Sequence, residues 1–369
     1  MPENYKLIFI QPTLTHYRLP FFKRLADCPN IEVRVYFSSI NFGPPSRKRN
    51  LPDWAHNMKA AQTLPLGFTW GSEGHSIPIK LGEVLVVGGN PRSLSTLILV
   101  IRARLRGAHV IWWGHYWSAT SKSWGLYIRL KMMRLAHALI FYVDEEIAEY
   151  QRFTGGHDTR LITALNNGIE LKDIREFRAQ YNDLVNRPRD LVFIGRITRK
   201  SELKLAIDAL AQPRCSYVTL DVIGDGADSL DLRQYANNVG VGDRIRWHGA
   251  MTEERYIGRI MNECKAFVYP GSVGLSLIHA LSYGLPCIVH NDRWKHMPEI
   301  AALCPGQNGV TFERGDVISL AEGVENLLSD PDELRRMSIN ARETTENRFN
   351  IEGMTERFSS VLEAISKVE

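Results

Sequence analysis

The feature that most limits the fold is an alternation of short apolar runs with helical patterns, which stops at a polar stretch and then starts again. In the first half Tyr5–Ile10, Ile31–Phe37, Glu83–Val87, His109–Trp113 and Leu139–Val143 read as strands. Tyr17–Ala26, Leu94–Leu105 and Lys122–Leu135 read as helices. Residues 40–80 are rich in Pro, Gly, Ser and Asn and read as a long irregular insertion. Glu170–Arg189 breaks the pattern. From Asp190 the order resumes as LVFIG, helix Leu203–Leu210, YVTLDVIG, helix Leu230–Asn238, Arg244–His248, helix Glu254–Met261, AFVYPG, helix Leu275–Ser282, PCIVH and terminal helices. Alternation of this kind implies mostly parallel sheets covered on both faces, here two doubly wound α/β domains joined near residue 180. Ligands then belong on the strand-to-helix turns.

Charge is divided unevenly. Residues 1–185 carry a formal +8 and residues 186–369 a formal −4, and residues 84–143 contain no Asp or Glu. That acid-free stretch holds eight basic residues and four of the eight tryptophans, a pattern suited to an anionic membrane surface or a phosphorylated partner. No RNP, zinc-finger or helix-turn-helix signature accompanies it, so nucleic acid is not an expected partner. In Lys122–Leu135, Leu126, Leu130 and Met133 form one apolar stripe; Trp124, Ile128 and Met132, flanked by Arg129 and Lys131, form a second that could lie on a membrane. No apolar run reaches the roughly eighteen residues of a spanning helix. The start, Met1–Gln11, lacks signal-peptide character, and five scattered cysteines without a C-x-x-C pair fit a reducing compartment. The expected location is cytoplasmic, on the inner face of the membrane.

Two turns in the second half suit anions. Gly195 ends a strand and is followed by Arg196, Arg199 and Lys200 ahead of a helix, so cations and a positive helix end share one space. Gly271-Ser272-Val273-Gly274-Leu275-Ser276 joins another strand to another helix, with small residues that let a phosphate approach backbone amides. Gly224, in Ile223-Gly224-Asp225-Gly226, borders the same region.

The order FIGRITRK, LDVIGDG, RIRWHGAM and VYPGSVGLSLIHALSYGLPCIV resembles the nucleotide-sugar half of family 4 glycosyltransferases of GT-B fold. The first half agrees through Pro12, Leu14, Tyr17 and Arg18, WWGH at 112–115, and N-G-I-E at 167–170. The resemblance implies two Rossmann-like domains facing a central cleft: an acceptor domain at 1–180, a donor domain at 181–350, and a C-terminal helix at 351–369 packing back toward the first. It implies a nucleotide-sugar donor, most often a UDP-sugar, a glycan or lipid-linked acceptor, and transfer with retention. The chemistry stabilises a departing diphosphate without a protein nucleophile.

By resemblance, Arg196 neutralises the diphosphate. The family's lysine falls at Ser201, so Lys200, one step earlier, is taken as its substitute. Gly195, Gly224, Gly249, Gly271, Val273, Gly274, Leu275, Ser276 and His279 fall at donor-side positions. The family's paired glutamates correspond to Gly271 and His279. Two explanations stay open: altered donor recognition or lost activity. His115 is the candidate for contacting the donor sugar or moving a proton, against a reading as a histidine packed among aromatics. His16, Tyr17 and Arg18 are expected on the acceptor side. No metal or cofactor is expected, since Asp330-Pro331-Asp332 precedes a helix and reads as a cap. A nucleotide-sugar epimerase on the same fold is the nearest rival enzyme, and a non-catalytic nucleotide-sugar-binding partner the rival of another class. A dinucleotide oxidoreductase lacks its G-x-G-x-x-G turn.

Overall fold

The computed structural model describes residues 4–41, 51–117, 123–179 and 184–367. The chain divides into a first unit of Met1–Asn166 with Ile351–Glu369, and a second unit of Asn167–Asn350.

The first unit is built on a seven-stranded parallel sheet of β1 (Tyr5–Thr15), β2 (Ile31–Asn41), β3 (Ala55–Asn57), β4 (Val84–Gly88), β5 (His109–Trp113), β6 (Ala138–Phe141) and β7 (Leu161–Ala164), in the order β3-β2-β1-β4-β5-β6-β7. The central strands are apolar along their whole length because both faces are covered. Phe9, Val86, Ile111 and Ile140 point to one core, and Ile8, Leu85, Val110 and Leu139 to the other. Helices α1 (Leu19–Ala26), α2 (Leu94–Leu105), α3 (Ser123–Met133) and α4 (Asp144–Thr154) belong to this unit.

The second unit repeats the plan in β8 (Arg189–Ile194), β9 (Leu220–Ile223), β10 (Ile245–Gly249), β11 (Cys264–Tyr269), β12 (Cys287–His290) and β13 (Gly309–Phe312), in the order β10-β9-β8-β11-β12-β13. With it go α5 (Lys172–Phe177), α6 (Leu203–Leu210), α7 (Ser229–Asn238), α8 (Glu254–Glu263), α9 (Leu275–Ser282), α10 (Val317–Ser329) and α11 (Pro331–Asn347). Both orders are Rossmann-like, and each reverses direction once: between β1 and β4, and between β8 and β11.

The last helix, α12 (Ile351–Ile365), lies in the first unit's core. Phe358 is fully buried, with its ring 5.5 Å from Phe9 and 5.6 Å from Phe21. Arg357 bonds Asp144 at 2.7 Å and Arg24 bonds Glu352 at 3.0 Å, fixing the helix at its rim.

Several expectations change. The units part at Asn166/Asn167 and not near 180, because α5 is anchored in the second unit. Arg175 and Arg178 bond Glu346 there, and the Asn262 side-chain amide pairs with the Phe177 carbonyl and the Ala179 N–H. The stretch at 40–80 is less irregular than its composition suggests. β2 runs on to Asn41, and β3 joins the sheet through Val35 N–H to Trp54 O and Met58 N–H to Phe37 O. Residues 42–50 lie outside the described residues. The helix expected from Tyr17 begins with a 3-10 turn, His16–Arg18, and becomes α-helical at Leu19, where Pro20 suits the first turn. The α4–β7 pair and β13 leave no pattern in the sequence, since α4 is mostly polar and β7 and β13 are four residues each. Asp330 does cap α11: its Oδ1 accepts from the Asp332 and Glu333 amides at 3.1 and 3.0 Å.

Candidate functional site

At the reversal point of the second sheet, glycines lace the strand ends together. The Gly195 N–H donates to Ile223 O at 3.0 Å and the Gly224 N–H to Gly249 O at 2.8 Å. Gly224 has φ +151°, and a Cβ there would overlap the Gly195 carbonyl oxygen. Backbone packing therefore accounts for Gly224 without a ligand. Tyr269, at the end of β11, stacks on Phe193 with centroids 4.8 Å apart and closes the floor beneath Gly195. Above that floor Arg196, Arg199 and Lys200 are exposed, and Arg196 and Lys200 have no ion pair among the described residues. Thr198 and Ser201 form a capping box, with the Ser201 hydroxyl 2.7 Å from Thr198 O. Ser201, the position where the family places its lysine, is thus buried in the turn, while Lys200 beside it is exposed.

Gly271 is fixed by the backbone around it. Its N–H donates to Ser201 O and the Ser272 N–H donates to Lys200 O, both at 3.0 Å. A Cβ at 271 would overlap the Lys200 carbonyl oxygen, so a glutamate cannot occupy this position in this arrangement. The Gly195–Ser201 turn and the Gly271–Ser276 turn are clasped through the glycine. Val273 is a correction to the expected ligand set, because its N–H already donates to His296 Nδ1 at 3.2 Å. Gly274 precedes α9, followed by Leu275 and Ser276 in its first turn, where amide groups lack intrahelical acceptors. Ser276 makes no side-chain cap; Gly274 occupies the cap position.

His279 on α9 lies 2.8 Å from Glu254 Oε1, which also accepts from the Tyr283 hydroxyl at 2.6 Å. Burial alone would raise the Glu254 carboxyl, but His279 and the Tyr283 hydroxyl outweigh it and hold it below its ordinary value. A carboxylate is therefore present at this spot, delivered from α8 through His279 and not carried on α9. Nothing in the local sequence links 254 with 279. Behind the turn, His290 and His296 stack at 3.7 Å, and the His296 Nε2 bonds His290 O at 2.8 Å. Burial lowers both imidazoles, His290 to about 4.

At the reversal point of the first sheet lies a cavity of about 460 Å³. Its wall includes Pro12, Tyr17, Arg18, Asn90, His115 and Arg129. His115 Nδ1 contacts Glu146, whose Oε2 accepts from the Tyr142 N–H at 2.9 Å. With Nδ1 held, Nε2 is the ring atom left for the cavity. The Arg18 guanidinium sits 4.3 Å from the Trp113 ring and 5.8 Å from that of Tyr142. His115, Tyr17 and Arg18 thus line one cavity, although the sequence reading set His115 by the donor sugar and Tyr17 and Arg18 on the acceptor side. His16 does not: the 3-10 turn leaves it exposed and off the cavity wall, its ring edge-on to Tyr17. Arg129 corrects a further expectation. It is buried in the cavity wall, Ile128 is half-buried, Met132 and Met133 are core, and Tyr127 is exposed; Lys122 and the Trp124 side chain of the expected stripe lie outside what the structure describes.

Residues 174–344 match the family model of glycosyl transferases group 1. The chain is 22% identical over 191 residues to N-acetyl-alpha-D-glucosaminyl L-malate synthase of Bacillus anthracis, covering 52% of this chain and 49% of that one. It is 23% identical over 172 residues to lipopolysaccharide core biosynthesis glycosyltransferase LpsE of Rhizobium meliloti, covering 46% and 48%. The matched regions span about half the length of these curated relatives. In structure the chain is similar to Anabaena HepE in complex with UDP, with a TM-score of 0.69 at 14% identity over 97% of this chain and 100% of the other. Residues 174–344 thus match the group 1 glycosyl transferase model, and the fold of the whole chain is the two-Rossmann-domain fold of the GT-B glycosyltransferases.

Proposed function

We propose that the protein transfers one sugar from a nucleotide diphosphate sugar to a glycan or lipid-linked acceptor, with retention, in surface polysaccharide or glycolipid synthesis. The observation that supports this most is the pair of exposed cations, Arg196 and Lys200, beside Gly195 within the group 1 domain. In this reading both cations, with the amino end of α9, stabilise the departing diphosphate, and no metal is needed. Fixed donors of this kind are each worth about 10²–10³ in rate. His279, oriented by Glu254, binds the ribose. His115 Nε2 is the hydrogen-bond partner of the acceptor hydroxyl. The relatives' names favour a bacterial surface glycan, and the UDP complex of HepE favours a uridine donor.

The protein works in the cytoplasm at the inner membrane face in this account. Support comes from α2, where Ile98, Ile101 and Leu105 are exposed on one side, with Leu81 exposed nearby. This face takes the place of the α3 stripe. No helix among the described residues is long and apolar enough to cross a membrane.

Incubation with donor sugars and a lipid-extract acceptor, with the product's anomeric configuration read by NMR, tests the reading. The expected result is acceptor-dependent product with the donor's configuration. Donor conversion that proceeds equally without acceptor would identify an epimerase or hydrolase instead. Failure to co-sediment with anionic vesicles at low salt would remove the membrane part.

A further inference from the structure

Arg129 carries a charge that the described residues leave uncompensated. It stands on the otherwise apolar inner side of α3, is 7% exposed and forms part of the cavity wall. Its buried Nε has no hydrogen-bond partner, and no described residue bonds or pairs with its guanidinium. The groups that act on it through space are Arg92, of like sign, and Tyr142. A guanidinium cannot shed its proton to relieve burial as a lysine can. A buried cation beside another cation calls for an anion.

The protein's own carboxylates at the cavity are engaged elsewhere. Glu73 is buried with Oε1 accepting from the hydroxyls of Ser93 at 3.2 Å, Ser95 at 2.6 Å and Thr96 at 3.2 Å. It serves the start of α2. Glu146 is taken by His115 and the Tyr142 amide. Arg18 adds a second cation to the wall, held over Trp113. The space between is large enough for a sugar-sized group. A planar fork of N–H donors aimed into such a space matches the two oxygens of a phosphate or carboxylate.

We propose that the cavity of the first unit receives an acceptor bearing an oxyanion, and that Arg129 recognises that group. The inference rests on the first unit being the acceptor side. It narrows the acceptor from any glycan to one carrying a phosphate ester or a carboxylate near the attacking hydroxyl.

Thermal unfolding of the full chain under excess UDP, which occupies the second unit's anion turns, tests it with glucose 1-phosphate, glucuronate and glucose as probes. At least one charged probe raises the wild-type Tm by about 2–4 °C, as a ligand at many times its Kd does, and glucose does not. Arg129→Met loses that shift, corresponding to at least a tenfold weaker Kd, and folds with an unchanged or higher Tm because an unpaired charge is gone. Should Arg129→Met not fold, Arg129→Lys serves: it keeps the charge, loses the fork and shows a weakened shift. Vesicles doped with a prenyl phosphate separate a lipid-borne anion from a soluble one by whether Arg129 is needed for co-sedimentation. No shift with either charged probe, an equal shift with glucose, or an undiminished shift in Arg129→Met overturns the proposal. The UDP-induced shift reports separately on the donor reading. It stays the same in Arg129→Met, and its absence in wild type would count against the donor site and not against this one.

Discussion

The two reversal points share a topology and differ in how they handle charge. In the second unit the cations Arg196 and Lys200 stand exposed on a turn made by glycines, and the backbone does the shaping. In the first unit a cation, Arg129, is buried in a wall of side chains drawn from β1, α2, β5 and α3. A site made of backbone turns tolerates little change in its glycines and much in its surroundings. A site made of side chains depends on contacts spread along the chain. The same strand order thus carries a turn shaped by backbone in one unit and a pocket walled by side chains in the other.

The sharpest way to separate the two units is to damage one core. Phe358→Ala removes a ring buried against Phe9 and Phe21, and should cost about 3–5 kcal/mol. Measured by urea unfolding, the loss should fall on the first unit, with UDP still protecting the second. Protection lost in step would show that the units do not behave separately. Next in size, Arg196→Ala should lower the rate by about 10²–10³. Because the side chain is exposed, stability should move by less than about 0.5 kcal/mol.

A smaller effect is expected from acid. His290, held down to about 4, and the neighbouring His296 stay neutral in the folded second unit where the unfolded chain takes up protons near the ordinary histidine value. Their contribution is full above about pH 6.5 and is lost as pH falls toward 4. Between pH 7 and 5 His290 alone accounts for about 1–2 kcal/mol of unfolding free energy read from urea melts, and His290→Phe should flatten the dependence. His137 in the first unit is also lowered to about 4, by burial and by Arg104, so both units lose stability in the same window. An acid-insensitive midpoint would contradict these assignments. Smallest, Glu254→Gln should raise the KM for donor about tenfold, roughly the 1.4 kcal/mol of one charge-assisted hydrogen bond, with kcat little changed.

What could be read from the sequence follows the same division. The second unit's motifs are contiguous: strand, glycine, cations, helix. Periodicity and turn chemistry reveal them, and the parallel, doubly wound sheet follows from alternation. The meaning of Gly271 was hidden, because the Ser201 and Lys200 carbonyls that exclude a side chain there come from seventy residues earlier in the chain. Glu254 was hidden for a like reason, since a carboxylate that reaches its place through His279 leaves no local pattern. In the first unit His115, Tyr17 and Arg18 were legible from short motifs. Arg129 was not, because a helix with apolar residues on several sides gives no sign of which side is buried. The small strand β3 was masked by loop-like composition around Trp54.

The central claim is that the Gly195–Lys200 turn and the Gly271–Ser276 turn hold the diphosphate of a sugar donor. Nucleotide release from uridine, guanosine, thymidine and adenosine diphosphate sugars, with wild type and Arg196→Ala side by side and a lipid extract as acceptor, tests it most directly. The account predicts release from one donor class, reduced about 10²–10³-fold in the variant at unchanged Tm. Release that Arg196→Ala leaves intact, or none from any donor, would contradict it.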